Sequence, residues 1–135
     1  MIRYLVDTDI ASYFLRQTSA PLNGRMKAAM REKEVALSAI TRAELRYGQS
    51  LMETKDHRRR LIDMFLQEVP TLGWTSAAAD QYGHLAAAQK KAGKPIGHMD
   101  TQIAAHALAV ALTLVTHNTR HFKRIDGLKI EDWMR

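Results

Sequence analysis

Apolar positions along the chain fall into short continuous runs, separated by stretches where they recur every three or four residues. These are the patterns of buried strands and of amphipathic helices. Ile2 to Val6 is a β-branched and aromatic run that stops at Asp7-Thr8-Asp9, predicting a buried first strand followed by a helix cap. A short helix then runs from Ile10 to Arg16, and Pro21-Leu22-Asn23 suits the start of another, striped by Met26, Ala29 and Met30. Val35-Ala36-Leu37 predicts a second strand. Ser38 or Thr41 could cap the helix that follows, which carries Ala43, Glu44, Leu45 and Tyr47 and is loosened near Gly48. Lys55 to Gln67 predicts a helix with Leu61, Ile62, Phe65 and Leu66 on one face, and Val69 to Leu72 a weaker strand. An Ala-rich helix spans Thr75 to Lys91 and is closed by Gly93. Asp100 opens another, running to Ala111, with Ile103, Ala104, Ala107 and Leu108 inside. Leu112 to Thr116 is the clearest strand. Strands and helices alternating in this way predict one α/β domain over residues 1–135, with a mostly parallel central sheet flanked by helices.

Composition narrows the chemistry. With 135 residues, 46% of them hydrophobic and 25% charged, the chain has room for one domain and one core. It has no cysteine, which excludes disulfide scaffolds, thiol nucleophiles, zinc ribbons and iron–sulfur clusters. Its longest apolar stretch, Ile103 to Val115, contains His106 and falls short of the roughly 18 residues that span a bilayer. Met1 to Asp7 leaves no room for a signal-peptide core, so a soluble cytoplasmic protein without membrane contact is expected. The net charge of +6 favours a polyanionic partner.

The acids carry the chemical signal. Ligands of open α/β sheets bind beyond the carboxyl ends of the strands. Asp7 and Asp9 follow the first strand, Asn118 follows the last, Asp100 sits at a helix start, and Glu44 lies within an amphipathic helix. Each alone has an ordinary reading, as a helix cap, a solvated helix residue or a turn. Gathered at one sheet end, carboxylates repel and raise one another's pKa unless a divalent cation neutralises them. An oxygen-only ligand set favours Mg²⁺, or Mn²⁺, over zinc.

Four blocks in order resemble a known family. They are Tyr4-Leu-Val-Asp7-Thr8-Asp9-Ile10, Ser38-Ala-Ile-Thr41-Arg-Ala-Glu44-Leu45-Arg-Tyr47-Gly48, Lys94-Pro-Ile-Gly97-His-Met-Asp100-Thr-Gln-Ile103-Ala-Ala105-His-Ala107, and Val115-Thr116-His-Asn118-Thr-Arg-His-Phe122-Lys-Arg124-Ile. The last is followed by Gly127-Leu128 and Trp133. Together they resemble the PIN-domain ribonucleases, and within them the VapC toxins of bacterial toxin–antitoxin pairs. The resemblance implies a single PIN-like α/β domain and a catalytic set of Asp7, Glu44, Asp100 and Asn118, of which the three acids bind the metal. Asn118 stands where many PIN domains have a fourth acid, Asp9 is a possible additional ligand, and Thr116 is a candidate to orient an acid. The implied reaction is Mg²⁺-dependent hydrolysis of phosphodiester bonds in structured RNA, commonly transfer RNA, with inhibition of translation. Implied partners are a VapB-like antitoxin, a second toxin copy in a homodimer, and DNA only through the antitoxin complex.

Basic residues flank each acidic block. Arg42, Arg46, Lys94, Arg120 and Arg124 are the RNA-binding candidates, whereas His57-Arg58-Arg59-Arg60 reads as a solvated face. One of Arg42 and Arg46 could instead pair with an active-site acid or an antitoxin group. Two other motifs fail on their spacing. His117 and His121 form an H-x-x-x-H pair without the Glu of a zincin, and Ala92-Gly-Lys94-Pro95 lacks most of a phosphate loop. Asp7-Thr8-Asp9 also resembles the opening of haloacid-dehalogenase phosphatases, with Asp7 as nucleophile. That family needs an acidic pair after a late strand, where this chain has Thr116-His117-Asn118. A catalytically silent RNA-binding or antitoxin-docking module is the remaining alternative, and it rests on Asn118.

Overall fold

Five short strands set the frame of the computed structural model, which describes residues Met1–Arg135. They are β1 (Tyr4–Val6), β2 (Val35–Ser38), β3 (Thr71–Leu72), β4 (Thr113–Val115) and β5 (Ile130–Glu131), in the spatial order β3-β2-β1-β4-β5. Every neighbouring pair is parallel, so the sheet is wholly parallel. The helices are α1 (Thr8–Leu15), α2 (Ala20–Arg31), α3 (Ala39–Leu51), α4 (Arg58–Glu68), α5 (Ser76–Lys91), α6 (His98–Val110) and α7 (Thr119–Phe122). None is long and apolar enough to cross a membrane.

Alternation along the strands divides the core in two. Tyr4, Val6, Val35, Leu37 and Val115 turn to one face, where they meet Ile10 and Phe14 of α1, Met26 of α2, Phe65 of α4 and Trp133. Leu5, Ala36 and Leu114 turn to the other, against Ile103, Ala104 and Ala107 of α6 and Phe122 of α7. Because both faces are covered, the strands read as continuous apolar runs rather than alternating ones. Trp133 stacks edge-on against Tyr4 at 4.9 Å and closes the first core from the C-terminal side.

Local chemistry explains where the elements depart from the expectations above. Asp7 caps α1, its Oδ1 accepting the Ile10 N–H at 2.8 Å, so Asp9 is left in the first turn. Ser38 caps α3 by accepting the Ile40 N–H at 3.0 Å, whereas Thr41 lies buried inside the helix. Gly48 does not loosen α3, which runs unbroken past it to Leu51. Leu61 is 41% exposed, and the buried stripe of α4 narrows to Ile62, Phe65 and Leu66. The strand expected from Val69 contracts to Thr71–Leu72, because Pro70 has no N–H to give a ladder and contributes only its carbonyl, to Leu37 N–H. α6 begins at His98 rather than Asp100. Its N-cap is Gly97 at φ +99°, a left-handed value that favours glycine, and Asp100 sits in the first turn. The short β5 and the single-turn α7 fall below the length at which periodicity distinguishes an element.

Candidate active site

The order β3-β2-β1-β4-β5 runs outward in both directions from the β1–β4 pair. Chains leaving the carboxyl ends of β1 and β4 therefore diverge to opposite sides and open a crevice, the usual ligand position in such sheets. Asp7 follows β1 directly, and Thr116 and Asn118 follow β4. The Asp7 N–H donates to Val115 O across the pair at 3.0 Å, which locks the two ends together.

Asp7 is the deepest acid, only 4% exposed. Burial raises its pKa from 3.8 to about 7. The Thr116 hydroxyl and the Ile10 N–H oppose that rise by hydrogen bonding to the carboxylate, while the charges of Asp9 and Asp100 add to it. The Thr116 Oγ1 itself accepts the Asn118 N–H at 3.0 Å. Asp100, half-buried in the first turn of α6, is also pushed up. Partial burial is the leading cause, followed by the charge of Asp9, and Glu44 adds to it. Glu44 is held from the side by the Thr8 hydroxyl, which donates to its Oε1 at 2.6 Å. Thr8 Oγ1 lies 3.0 Å from Thr41 Oγ1. A hydroxyl has one proton, and that of Thr8 is committed to Glu44, so Thr41 donates to Thr8.

Asp9 and Asp100 are therefore within electrostatic reach of Asp7, and Asp9 and Glu44 within reach of Asp100. None of the four carboxylates enters a salt bridge. No three His, Asp or Glu side chains stand close enough together to enclose a metal ion as they lie. The fit to a divalent cation is one of charge and donor type. Carboxylate oxygens as the donors, a buried carboxyl raised to about 7 and no salt bridge to any of the four acids make a group that a hard divalent ion would compensate.

The basic candidates divide. Arg42 donates to Thr71 Oγ1 at 3.0 Å, and Arg46 reaches Asp63 at 2.6 Å and Gln49 at 2.9 Å, so both are occupied by groups of this chain. Arg58, from the run expected to be solvated, pairs with Asp56. Arg59 donates to the carbonyls of Gln49 and Met52 and ties α4 to the end of α3. Lys94, Arg120 and Arg124 enter no salt bridge. Thr8 and Thr41 escaped the sequence reading as site residues. The available signal was helical spacing, since Thr41 precedes Glu44 by three positions and so shares its face. His121 also escaped as a companion of Asp100: its charge holds the Asp100 pKa down, and its Nδ1 meets Asn118 Nδ2 at 2.8 Å.

Residues 4–128 match the PIN domain family. The chain is 31% identical over 133 residues to the tRNA(fMet)-specific endonuclease VapC of Shigella flexneri, a match covering 98% of this chain and 99% of that protein. It is 34% identical over 134 residues to the ribonuclease VapC2 of Haemophilus influenzae, covering 99% and 100% of the two. Its fold is similar to that in the crystal structure of VapBC2 from Rickettsia felis bound to a DNA fragment from their promoter. That match has a TM-score of 0.88 and 32% identity, and covers 98% of this chain and 99% of that one.

Proposed function

Because the chain belongs to the PIN-domain family, and within it to the VapC ribonucleases, we propose that it hydrolyses RNA phosphodiester bonds at the crevice between β1 and β4. Asp7, Glu44 and Asp100 hold the divalent cation there, Mg²⁺ or Mn²⁺. The observation that supports this most directly is the buried Asp7 carboxyl, raised to about 7 beside Asp9 and Asp100 with no cationic partner in the chain. A bound cation supplies Lewis-acid polarisation of the phosphate and a more acidic water.

The chain's own groups set the geometry around that cation. Asp7 is clamped by the Ile10 N–H and the Thr116 hydroxyl, so its carboxylate keeps one orientation. Glu44 is aimed by the relay from Thr41 through Thr8. Asp9 is exposed at the start of α1 and accepts no hydrogen bond from the chain. Its carboxylate is the one free to take the proton of an attacking water. Asn118 supplies a neutral amide where a further acid would add charge, and its N–H keeps Thr116 turned to Asp7.

The substrate we infer is a structured RNA, with transfer RNA the leading class. Its cleavage inhibits translation and growth, and the RNA places the reaction in the cytoplasm. A VapB-like antitoxin is the cognate partner, a homodimer the working form, and promoter DNA a ligand of the toxin–antitoxin complex rather than of this chain. Purified protein freed of antitoxin should cut total RNA when Mg²⁺ is present and stop when excess chelator is added. Binding without cleavage at any Mg²⁺ or Mn²⁺ concentration would overturn the reading.

The threonine relay gives a finer prediction. Thr8→Val keeps the shape of the side chain and removes the donor to Glu44. Loss of a hydrogen bond that orients a metal ligand costs about 10- to 100-fold in metal affinity. Calorimetric titration of Mg²⁺ into the two proteins should show that drop, with the far-UV circular dichroism unchanged.

A further inference from the structure

We propose that the groove between α5 and the α7 segment binds phosphates of the RNA strand beside the scissile bond. In this subsite Lys94 and Arg124 are the cationic walls, and His121 joins the groove to the acids. The proposal rests on the ribonuclease reading above and deepens it by tracing the path of the substrate away from the crevice.

The groove has a volume of about 500 Å³, and its polar lining includes His84, Gln89, Lys94, His121, Arg124 and Asp126. Leu85, Ile96, Leu108 and Ile125, all at least half-buried, contribute apolar surface between these groups. Two features bear on its ligand; unpaired cations line another groove too, as Lys27 and Arg31 do, so the second feature is the one that singles this groove out. Five arginines elsewhere, Arg3, Arg25, Arg46, Arg58 and Arg135, are neutralised by carboxylates of this chain. Lys94 and Arg124 are not, although Asp126 lines the same groove. Cations left unpaired in a concave site are available for an outside anion, and phosphate oxygens are the groups of RNA that such cations bind.

Continuity with the crevice is the second feature. His121 lines the groove and is hydrogen-bonded to Asn118, which follows the carboxyl end of β4 at the crevice. The Asn118 amide nitrogen donates to His121 Nδ1 at 2.8 Å, so the neutral ring carries its proton on Nε2 and offers that N–H as a free donor. Asn118 therefore sets the tautomer of His121 as well as holding Thr116. An RNA strand leaving the acids passes His121 first and the Lys94–Arg124 pair next. No Phe, Tyr or Trp lines the groove, so its cations meet the RNA backbone rather than a stacked run of bases.

The test measures binding without cleavage. Antitoxin-free Asp100→Asn protein leaves RNA intact, and its affinity for labelled bulk transfer RNA is read by filter binding from about 50 to 200 mM salt. Adding Lys94→Ala and Arg124→Ala should weaken binding at least about tenfold at the lower salt. It should also flatten the slope of log K against log salt by about 1.4 to 1.8, the loss of two phosphate contacts. His121→Ala alone should cost about fivefold, the value of one hydrogen bond.

Lys33→Ala with Lys129→Ala removes the same charge just before β2 and β5, at the opposite end of the sheet, and should change affinity by less than about twofold. The inference is overturned if the groove variant binds as its parent does, or if the control loses as much. It is equally overturned if the groove variant changes the oligomeric state in size-exclusion chromatography, since the groove would then be a contact between copies. Failure of the ribonuclease reading is separately visible: the unsubstituted protein would cut no RNA with Mg²⁺, whatever the groove binds.

Discussion

If the proposed site is right, Asp100→Asn should lower Mg²⁺-dependent RNA cleavage by about 10²–10⁴-fold and leave the protein folded. The magnitude is that of losing a charged group acting directly in the reaction. The fold should survive because Asp100 is only half-buried, in the first turn of α6, and makes no hydrogen bond that holds another element. Its structural contribution is that of an acid near a helix N-terminus, about 0.3–1 kcal/mol. Asparagine keeps the shape and one oxygen but removes the charge that, with Asp9 and Glu44, makes the crevice attractive to a cation. Initial rates on total RNA, beside a calorimetric Mg²⁺ titration, check both halves of the expectation. A variant that cleaves within about threefold of the parent removes Asp100 from the reaction.

Metal-free protein should lose stability as the pH rises from about 4 to 7, and Asp7→Asn should remove most of that loss. The remainder comes from Asp100, whose pKa is also raised. The unfolded carboxyl titrates near 3.8 and the folded one near 7, because burial disfavours the charge. Between those values the folded state holds a proton that the unfolded state has released. Folding is therefore penalised progressively through that window, and the full penalty is present above pH 7. A shift of this size corresponds to about 4 kcal/mol. His106 acts in the opposite sense. Its pKa is lowered by burial, so stability falls as the medium becomes acidic enough to charge the unfolded imidazole but not the folded one. The difference between parent and Asp7→Asn isolates the carboxyl, since His106 is common to both. Asparagine is also a good helix cap, so the Ile10 N–H keeps an acceptor. Urea unfolding in chelator at several pH values should show the gap opening toward pH 8. Mg²⁺ added to the parent should close it, and a parent curve parallel to that of the variant would refute the argument.

What the sequence disclosed, and what it hid, follows the range of the forces involved. The β1, β2 and β4 segments were legible because burial on both sheet faces demands unbroken apolar runs, and Leu5, Ala36 and Leu114 sit in the second core while their neighbours sit in the first. Asp7 was legible as a strand-end residue for the same reason, whereas Glu44 and Asp100 sit on helices and stood out only within their motifs. Thr8 was invisible as a partner of Glu44 because that contact joins two helices 36 positions apart, and no local pattern encodes it. Arg42 and Arg46 looked like nucleic-acid contacts because charge alone does not reveal that Thr71 and Asp63 lie within reach. β5 has two residues, too few for any period to register.

The pairing of β1 with β4 sets when the crevice can exist. Tyr4, Leu5 and Val6 lie in register with Thr113, Leu114 and Val115, which are separated from them by most of the chain. Closing so long a loop is among the slow steps of folding. Until it closes, Asp7 lacks the Thr116 hydroxyl, and Asp100 on α6 has no wall to face. A chain still emerging from the ribosome thus carries Asp7 and Glu44 long before it can assemble the crevice that uses them. Synthesis order leaves the crevice incomplete until β4 has docked beside β1.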